Sequence, residues 1–246
     1  MQLNDFSKTE LGLGLIGIGR PWPTGTHSVC SQDAAHKLLQ SAIDSGMRFF
    51  DTAAAYGASE TVLGAFLQTL TPKTRKNIFV ATKTGEHWPN PNNQPVDHSI
   101  QALEQSFENS QQILGSIDLL QLHKCTIVDL QNDKIINWFQ TLKQSGTVKS
   151  IGVSVSSVDA LQAAAQLKIF DTIQFPANLD KQNLLTAYLN CPTPPLAIIN
   201  RPFSSGKITN KADAYKFLKQ KFSQAIILSG TTNIEHLSNN ISNFKG

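Results

Sequence analysis

Four residues of reactive type stand at or just after the ends of three successive apolar runs. Asp51 and Lys83 each end a run, His123 ends the next one, and Tyr56 follows Asp51 by five positions. If these runs are neighbouring parallel strands, their carboxyl ends share one face of the fold, where barrel enzymes place their active sites. Each residue alone has an ordinary explanation: a turn aspartate, a solvated lysine or a packed structural histidine. Their shared placement favours a catalytic site.

The chemistry that these groups support together is proton transfer to a carbonyl oxygen. A tyrosine phenol has a reference pKa of about 10, which is high for proton exchange at neutral pH. A lysine cation within about 4–6 Å stabilises the phenolate, with roughly 4 kcal/mol available at 4 Å and an effective dielectric of 20. We therefore expect Lys83 to lower the pKa of Tyr56 and Asp51 to hold Lys83. Tyr56 then acts as a general acid, and His123 binds the same oxygen.

Eight short apolar runs alternate with stretches of helical periodicity along the whole chain, a pattern typical of parallel βαβ units. Eight units in 246 residues indicate a closed barrel, so the sequence predicts an α/β fold of the (β/α)8 TIM-barrel class. Nothing in the composition divides the chain, and we expect a single barrel domain over residues 1–246. The predicted strands are Leu11–Gly19, Met47–Thr52, Ile78–Lys83, Ile117–His123, Ser150–Ser154, Thr172–Phe175, Leu196–Asn200 and Ala225–Ser229.

Two connecting features complete the prediction. Gly46 and Gly146 each follow a helical stretch, which predicts the left-handed conformation that ends many helices. The longest irregular segment, Thr84–Asp97, is rich in proline and asparagine, and long loops in small domains are usually functional. We expect this segment to border the site.

The motifs that contain Asp51, Tyr56, Lys83 and His123 resemble those of the aldo-keto reductase family, in the same order and at the same strand positions. The resemblance covers about residues 11–240 and implies a nicotinamide-dependent oxidoreductase acting on a carbonyl or, in reverse, an alcohol. The motifs are Asp51-Thr-Ala-x-x-Tyr56-Gly57-x-Ser59-Glu60 with Leu63-Gly64, Ala81-Thr82-Lys83, Asp118-Leu-Leu-x-Leu-His123, and Gly146-x-Val-Lys-x-Ile151-Gly152-Val153-Ser154. Ser59 and Glu60 have an expected structural role as N-cap and first-turn acid of the second helix.

The resemblance also implies how the cofactor lies across the barrel mouth. Ser154 and Gln174 are expected to hold the nicotinamide carboxamide, and a helix N-terminus after the eighth strand would favour the phosphates. Part of that stretch, Thr231–Asn233, could instead be a plain capping turn. The other implied cofactor contacts are Gly19, Arg20, Arg201, Ser229, Gly230, Thr231, Thr232, His236, Asn239 and Asn240.

Several positions depart from the family pattern. Val155 stands where many members have asparagine, and Arg201 lies near an aromatic position, where it could stack on nicotinamide or bind an acidic substrate. Gly230 and His236 replace the lysine and arginine that NADP-preferring relatives often carry. NADP(H) is therefore favoured only by the family, and NAD(H) stays open.

Trp22 and Trp88 lie in the two segments expected to bound the substrate pocket, Arg20–Gly25 and Thr84–Asp97. Each tryptophan could equally be a hinge or packing residue. The substrate is expected to be a small carbonyl or alcohol, with its identity open.

Composition excludes several other classes of function. Hydrophobic residues make up 40%, charged residues 16%, and the net charge of +3 is spread along the chain, so we expect neither disorder nor a nucleic-acid partner. The start lacks a signal-peptide pattern, and no apolar run is long enough for a membrane span. The three cysteines form no C-x-x-C pair and the histidines show no ligand spacing, so we expect no metal and a cytoplasmic location.

Two short motifs match those of other dehydrogenase families, and two other functions remain possible for the barrel. Gly12-x-Gly14-x-x-Gly17 matches a dinucleotide fingerprint, but the Pro-rich stretch after Arg20 should not start a helix, and we interpret it as a glycine-rich strand. Tyr215-x-x-x-Lys219 matches short-chain dehydrogenases but falls on an amphipathic helix near residue 246. A Schiff-base lyase using Lys83 and a non-catalytic nicotinamide-binding protein remain alternatives.

Overall fold

The computed structural model describes residues 1–21, 29–89 and 95–246 and contains the predicted parallel barrel. Each strand pairs in parallel with the next, and the last returns to the first, with Leu11 opposite Ile227. The α/β TIM-barrel class is therefore confirmed. The strands are β1 Glu10–Gly14, β2 Phe49–Asp51, β3 Phe79–Thr84, β4 Leu119–Leu122, β5 Ser150–Ser154, β6 Thr172–Pro176, β7 Leu196–Asn200 and β8 Ala225–Gly230.

Helices cover the outside of the barrel and begin at ordinary capping residues. Ser31, Ser99 and Ser157 each accept a backbone N–H at a helix start. Gly46 and Gly146 have φ of +90° and +74°, as predicted for helix ends. The α-helices are α1 Ile16–Gly19, α2 Gln32–Asp44, α3 Ser59–Thr69, α4 Pro72–Lys76, α5 Ile100–Leu114, α6 Ile127–Leu130, α7 Asp133–Gln144, α8 Val158–Leu167, α9 Asn183–Leu189, α10 Lys211–Lys221 and α11 Ile234–Lys245, with 3-10 turns at Leu3–Asp5 and Ser204–Gly206.

The barrel interior is filled by aromatic rings at the end opposite the predicted site. Phe49 and Phe79 stack with ring centroids 5.3 Å apart, and Phe6 from the N-terminal segment meets both edge-on, at 5.6 and 5.5 Å. All three side chains are fully buried. Edge-to-face and offset aromatic packing of this kind closes the floor of the barrel, so the face carrying the strand carboxyl ends is the open one.

The first strand is shorter than predicted. β1 ends at Gly14 rather than Gly19, and residues 16–19 form the single helical turn α1. Glycine at 17 allows this because a Cβ there would already lie 3.1 Å from Thr232 Cγ2. Gly12 and Gly14 lie inside β1, as interpreted from the sequence, while Gly17 lies in α1. The closed barrel, rather than the proline stretch, excludes a Rossmann site.

Smaller boundary differences also appear. β2 spans three residues instead of six, and β4 ends at Leu122, although His123 N still donates to Thr84 O at 2.8 Å. Tyr215 of the short-chain motif is fully buried on α10, and Lys219 Nζ donates to Phe244 O, so that pair lies away from the strand ends. None of the helices in the described ranges has the length and apolar character needed to cross a membrane.

Candidate active site

Lys83 and Asp51 form a buried ion pair at the carboxyl ends of β2 and β3, as the sequence predicts. Lys83 Nζ lies 2.7 Å from each carboxylate oxygen of Asp51 and 2.9 Å from Thr52 O. Its side chain has no exposed area, and that of Asp51 is 3% exposed. Burial lowers the pKa of Lys83, but the charge and hydrogen bonds of Asp51 outweigh it and raise the pKa above its ordinary value. The lysine is therefore a fixed cation.

Tyr56 lies above this pair. Lys83 Nζ is 5.0 Å from the centroid of its ring. Burial raises the pKa of the phenol, and the charge of Lys83 only partly opposes this. The expectation that Lys83 lowers the pKa below its ordinary value is thus wrong in sign, because desolvation of a phenolate is the larger effect. At neutral pH Tyr56 carries its proton.

Two glycines fix the backbone around Tyr56. Ala58 N donates to Gly19 O at 3.0 Å, which ties the segment after β1 to the segment after β2. A Cβ on Gly19 would lie 2.0 Å from Tyr56 O, and a Cβ on Gly57 would lie 2.4 Å from Gly19 O. Gly57 also has φ of +59°, the left-handed region that side chains disfavour. The two loops approach this closely only because both positions lack side chains.

The start of α3 differs from the prediction in detail. The N-cap is Ala58, not Ser59, whose hydroxyl instead donates to Leu15 O at 3.0 Å. Glu60 does lie in the first turn, but it is buried and accepts hydrogen bonds from Thr82 and Ser110. Burial raises the pKa of Glu60 above its ordinary value. These contacts bind α3 to the segment after β1, to β3 and to α5, and so position the predicted site.

His123 faces Tyr56 and carries a partner that the sequence analysis missed. The two rings meet edge-on with centroids 5.7 Å apart. His123 Nδ1 also lies 3.0 Å from Glu86 Oε2, and Glu86 Oε1 lies 2.6 Å from Lys124 Nζ. Burial alone would raise the pKa of Glu86, yet His123 and Lys124 lower it to about 2. Burial also lowers the pKa of His123, against the opposing effect of Glu86.

One sequence signal could have found Glu86. Glu86 follows Lys83 by three residues and lies in the loop after β3. Because β3 pairs with β4, which ends beside His123, this loop lies close to the histidine. The buried carboxylate therefore holds an imidazole in the predicted site, and Lys124 supplies its second cation.

The predicted carboxamide residues stand opposite each other at the ends of β5 and β6. Ser154 pairs with Gln174 in register, and both are largely buried. Gln174 Nε2 lies 3.5 Å from Asp51 Oδ2, while its Oε1 has no hydrogen-bond partner among the described residues. Gln121, which the sequence analysis did not single out, is arranged alike, with Nε2 3.4 Å from Asp51 Oδ1 and a free Oε1 in the described structure.

The stretch after β8 forms the capped start of α11. Asn233 is the N-cap and accepts from His236 N at 3.0 Å, and Thr231 Oγ1 accepts from Asn233 N at 3.1 Å. A groove of about 360 Å³ lies beside this turn. It is lined by Ala34, Lys37, Thr232, Asn233, Ile234 and Glu235. A capping turn and a phosphate-facing helix start are compatible here, because the side-chain cap uses only one of the free N–H groups.

The remaining predicted cofactor residues after β8 differ in how exposed they are to solvent. Gly230, His236 and Asn239 are exposed near the barrel mouth. Asn240 is buried, and its side chain is engaged on both sides: Nδ2 donates to Ser229 Oγ at 2.7 Å and Oδ1 accepts from Lys211 Nζ at 2.8 Å. Ser229 and Asn240 thus join β8 to α11.

The two arginines at the barrel mouth, Arg201 and Arg20, differ in burial and in their contacts. Arg201 is exposed, with φ of +52°, and its carbonyl accepts from Asn178 Nδ2 at 3.0 Å. Arg20 is 7% exposed, and its guanidinium lies 5.5 Å from the Tyr56 ring centroid and 5.8 Å from that of Trp88. Trp88 therefore borders the site, whereas Trp22 lies outside the described residues.

Comparison with known proteins agrees with this geometry. The model of the Aldo/keto reductase family matches residues 10–189. D-threo-aldose 1-dehydrogenase of a Pseudomonas species is 33% identical over 188 residues, which are 66% of this chain and 55% of that protein. The chain spans about half the length of the curated relatives it matches.

Solved structures extend the likeness of the fold over the whole barrel. The Pseudomonas aeruginosa protein PA4992, described as an aldo-keto reductase, has a TM-score of 0.81 at 24% identity, covering 95% of this chain and 88% of that one. A Klebsiella pneumoniae aldo-keto reductase solved with NADPH has a TM-score of 0.68 at 18% identity, covering 96% and 85% of the two chains. With a family model spanning most of the sequence and a barrel that places the family's motifs at adjacent strand ends, the chain belongs to the aldo/keto reductase family.

Proposed function

We propose that this protein interconverts a carbonyl and an alcohol with a nicotinamide cofactor, with Tyr56 exchanging the proton. The observation that carries the proposal is the Lys83 ammonium held between both Asp51 oxygens and Thr52 O, 5.0 Å from the Tyr56 ring centroid. A buried, fixed cation beside a phenol stabilises the phenolate that forms when the proton leaves. This arrangement, with Tyr56 as proton donor, Lys83 as the neighbouring cation and Asp51 as the counterion of Lys83, is consistent with the family's chemistry.

The residues fit a nicotinamide cofactor. Gln174 Oε1 is a buried acceptor with no hydrogen-bond partner in the described structure, as a carboxamide N–H would require. Ser154 stands opposite it in register and would bind the other side of that group. At the far end, the start of α11 and the groove beside Thr232 and Lys37 would take the phosphates and the adenosine. When bound, a reduced nicotinamide supplies a hydride to the carbonyl carbon.

Tyr56 gives its proton to the oxygen of that carbonyl as the carbon–oxygen π bond breaks. The raised pKa of Tyr56 keeps this proton in place at neutral pH, so reduction starts from the correct protonation state. Lys83 then offsets the charge left on the phenolate oxygen. In the reverse direction the phenolate is the base, and the higher pKa of Tyr56 makes alkaline conditions favourable.

NADP(H) is our proposed cofactor, with NAD(H) as the alternative. The Schizosaccharomyces pombe relative is named for NADP(+), and the Klebsiella pneumoniae structure contains NADPH. In this chain Lys37 lines the groove beside α11 and is the cation available there to a 2′-phosphate among the groove's lining residues. Gly230 and His236 offer no fixed charge at the two positions where NADP-preferring relatives often have lysine and arginine.

A Schiff-base mechanism on Lys83 is disfavoured by the same contacts. The three N–H bonds of its ammonium face three acceptors, and its pKa is raised, so a nucleophilic lone pair is scarce at neutral pH. A non-catalytic nicotinamide-binding protein would have the same fold and differs only in turnover.

The test combines cofactor binding with turnover. NADPH and NADH are titrated by fluorescence, and the one that binds is assayed with a panel of small aldehydes and ketones. We expect Tyr56→Phe to lower kcat by at least about 100-fold, the scale of a lost general acid, with cofactor affinity unchanged. Tyr188→Phe is the matched control, because its hydroxyl donates to Pro195 O on the outer layer. Equal turnover by Tyr56→Phe and wild type would refute the mechanism.

A further inference from the structure

Arg20 is a buried cation whose hydrogen-bonding groups are not used by the described structure. It is 7% exposed, yet neither Nε nor Nη1 has a hydrogen-bond partner in residues 1–21, 29–89 and 95–246. Burying a guanidinium without partners is costly, since its N–H groups lose water and gain nothing in return. Its contacts with the Tyr56 and Trp88 rings favour the charge but leave those N–H groups unsatisfied.

The carboxylates of the site are already neutralised by other cations. Asp51 is bound to Lys83, and Glu86 to Lys124 and His123. Arg20 forms no ion pair with any described acidic residue, and the two segments outside the description, 22–28 and 90–94, contain no aspartate or glutamate. The protein itself therefore offers this guanidinium no anion, and the charge at the Tyr56 side of the mouth is net positive.

Arg20 is also held in place by its backbone. It directly follows α1 and donates its N–H to Ile16 O at 3.1 Å. The preceding residue, Gly19, is fixed against Tyr56 and Ala58 by the close approach described above. The backbone of Arg20 is thus fixed beside the Tyr56 loop, and its guanidinium lies 5.5 Å from the centroid of the phenol ring, close enough for a second group to orient a substrate.

We propose that Arg20 binds an anionic group, carboxylate or phosphate, on the carbonyl substrate, so that keto acids or phosphorylated carbonyls are preferred over neutral ones. This inference rests on the proposed function and names its substrate class. An anion at Arg20 would satisfy the unused N–H groups with charge-assisted hydrogen bonds. The short path from Arg20 to Tyr56 suits a small substrate whose anionic group lies a few bonds from the reacting carbonyl.

The experiment compares pairs of probes that differ in charge. Benzoylformate is assayed against methyl benzoylformate, and dihydroxyacetone phosphate against dihydroxyacetone, with wild type, Arg20→Met and Arg20→Lys. We expect wild type to prefer at least one anion over its neutral partner by 10-fold or more in kcat/KM, and Arg20→Met to remove that preference mainly through KM. Arg20→Lys keeps the charge and should retain part of the preference for the anionic substrate. Lys73→Met, which removes the same charge from exposed α4, should leave the preference intact.

Four outcomes overturn the inference, and they are separable from failure of the proposed function. An equal preference in wild type and Arg20→Met, or in wild type a preference for the neutral partner of both pairs, rules out an anion site at Arg20. Weaker binding of NADPH to Arg20→Met with an unchanged anion preference assigns the guanidinium to the cofactor instead. Equilibrium binding of benzoylformate to the protein with NADP+, measured by calorimetry, applies even without turnover. Loss of that binding in Arg20→Met supports the site, and equal binding refutes it. If neither cofactor binds wild type, the proposed function itself fails.

Discussion

Glu86 Oε2 lies 3.0 Å from Nδ1 of His123, whose ring meets that of Tyr56 edge-on. A carboxylate at this distance favours a proton on Nδ1 through its charge, although the pair does not meet hydrogen-bond geometry. The other nitrogen, Nε2, can then donate to a substrate oxygen only when His123 is the doubly protonated imidazolium. The ability of His123 to bind a carbonyl oxygen is therefore coupled to pH through its buried partner.

From this we expect carbonyl reduction to accelerate as the pH falls. Burial lowers the pKa of His123 from its ordinary 6.5, Glu86 opposes the shift, and Lys83 adds to it, while Asp51 partly offsets Lys83. The imidazolium fraction thus grows below neutral pH, and kcat for reduction should grow with it. Glu86→Gln removes the opposing charge and should move this rise to lower pH by about one unit or more, measured as a kcat profile.

The control for that profile is Lys124→Met. It removes the exposed partner of Glu86 but leaves the contact with His123 in place. We expect a profile close to wild type and unchanged NADPH affinity in both variants. Superimposable profiles of Glu86→Gln and wild type would show that Glu86 has only a packing role.

Stability should also depend on Glu86 in acid. Its folded-state pKa of about 2 lies below its ordinary 4.5, so Glu86 contributes stability above about 4.5 that is lost as the pH falls toward 2. The difference in free energy of unfolding between wild type and Glu86→Gln should shrink as the pH falls from about 4.5 toward 2, because protonation of Glu86 removes its contribution. Urea denaturation at a series of pH values measures this, and a difference that persists undiminished at the acid end of that range would contradict the assignment.

Asp51→Asn should destabilise the fold as well as impair turnover. It leaves the Lys83 ammonium buried with no counterion, and breaking such a pair costs about 3–5 kcal/mol in free energy of unfolding. Glu10→Gln is the matched control, because the Glu10–Arg48 pair is partly exposed and should contribute less than about 1 kcal/mol. Similar urea midpoints for the two variants would mean that Lys83 gains water or another partner in the variant.

Gly57→Ala should cost more than its backbone conformation alone explains. Gly57 and Gly146 both have positive φ, +59° and +74°, but a Cβ at Gly146 meets nothing within 4 Å. Gly146→Ala therefore measures the conformational cost, about 1–2 kcal/mol in free energy of unfolding. Gly57→Ala adds the clash with Gly19 O and should displace Tyr56, lowering kcat as well. Equal stability loss and full activity in both variants would refute the role of the close approach.

The sequence predicted the elements whose signals are local. Eight apolar runs, their spacing and the residues that end them were enough to place Asp51, Lys83 and His123 on one face of the barrel. The boundary of β1 was wrong because glycine-rich, apolar residues fit both an extended strand and the turn α1.

Effects that depend on burial were the ones that sequence could not supply. Lys83 was correctly expected beside Tyr56, but the pKa of the phenol is set more by lost hydration than by this neighbour. Glu86 looks like an ordinary loop acid until the chain folds, because its contact with His123 joins residues 37 positions apart across two strands. The sequence places Arg20 among the expected cofactor contacts but cannot show that it is buried without partners, because that depends on the fold.

The close approach of Gly19 and Ala58 has a consequence for how this site can diversify. The contact uses a carbonyl, an N–H and the absence of two side chains, so it depends on no particular neighbouring side chain. Residues farther along the loops of the mouth can therefore change in size and charge while the phenol stays where it is. Because folding already orders the Tyr56 side chain, ligand binding does not carry the entropic cost of ordering it. One anchored proton donor can in this way serve many differently shaped pockets.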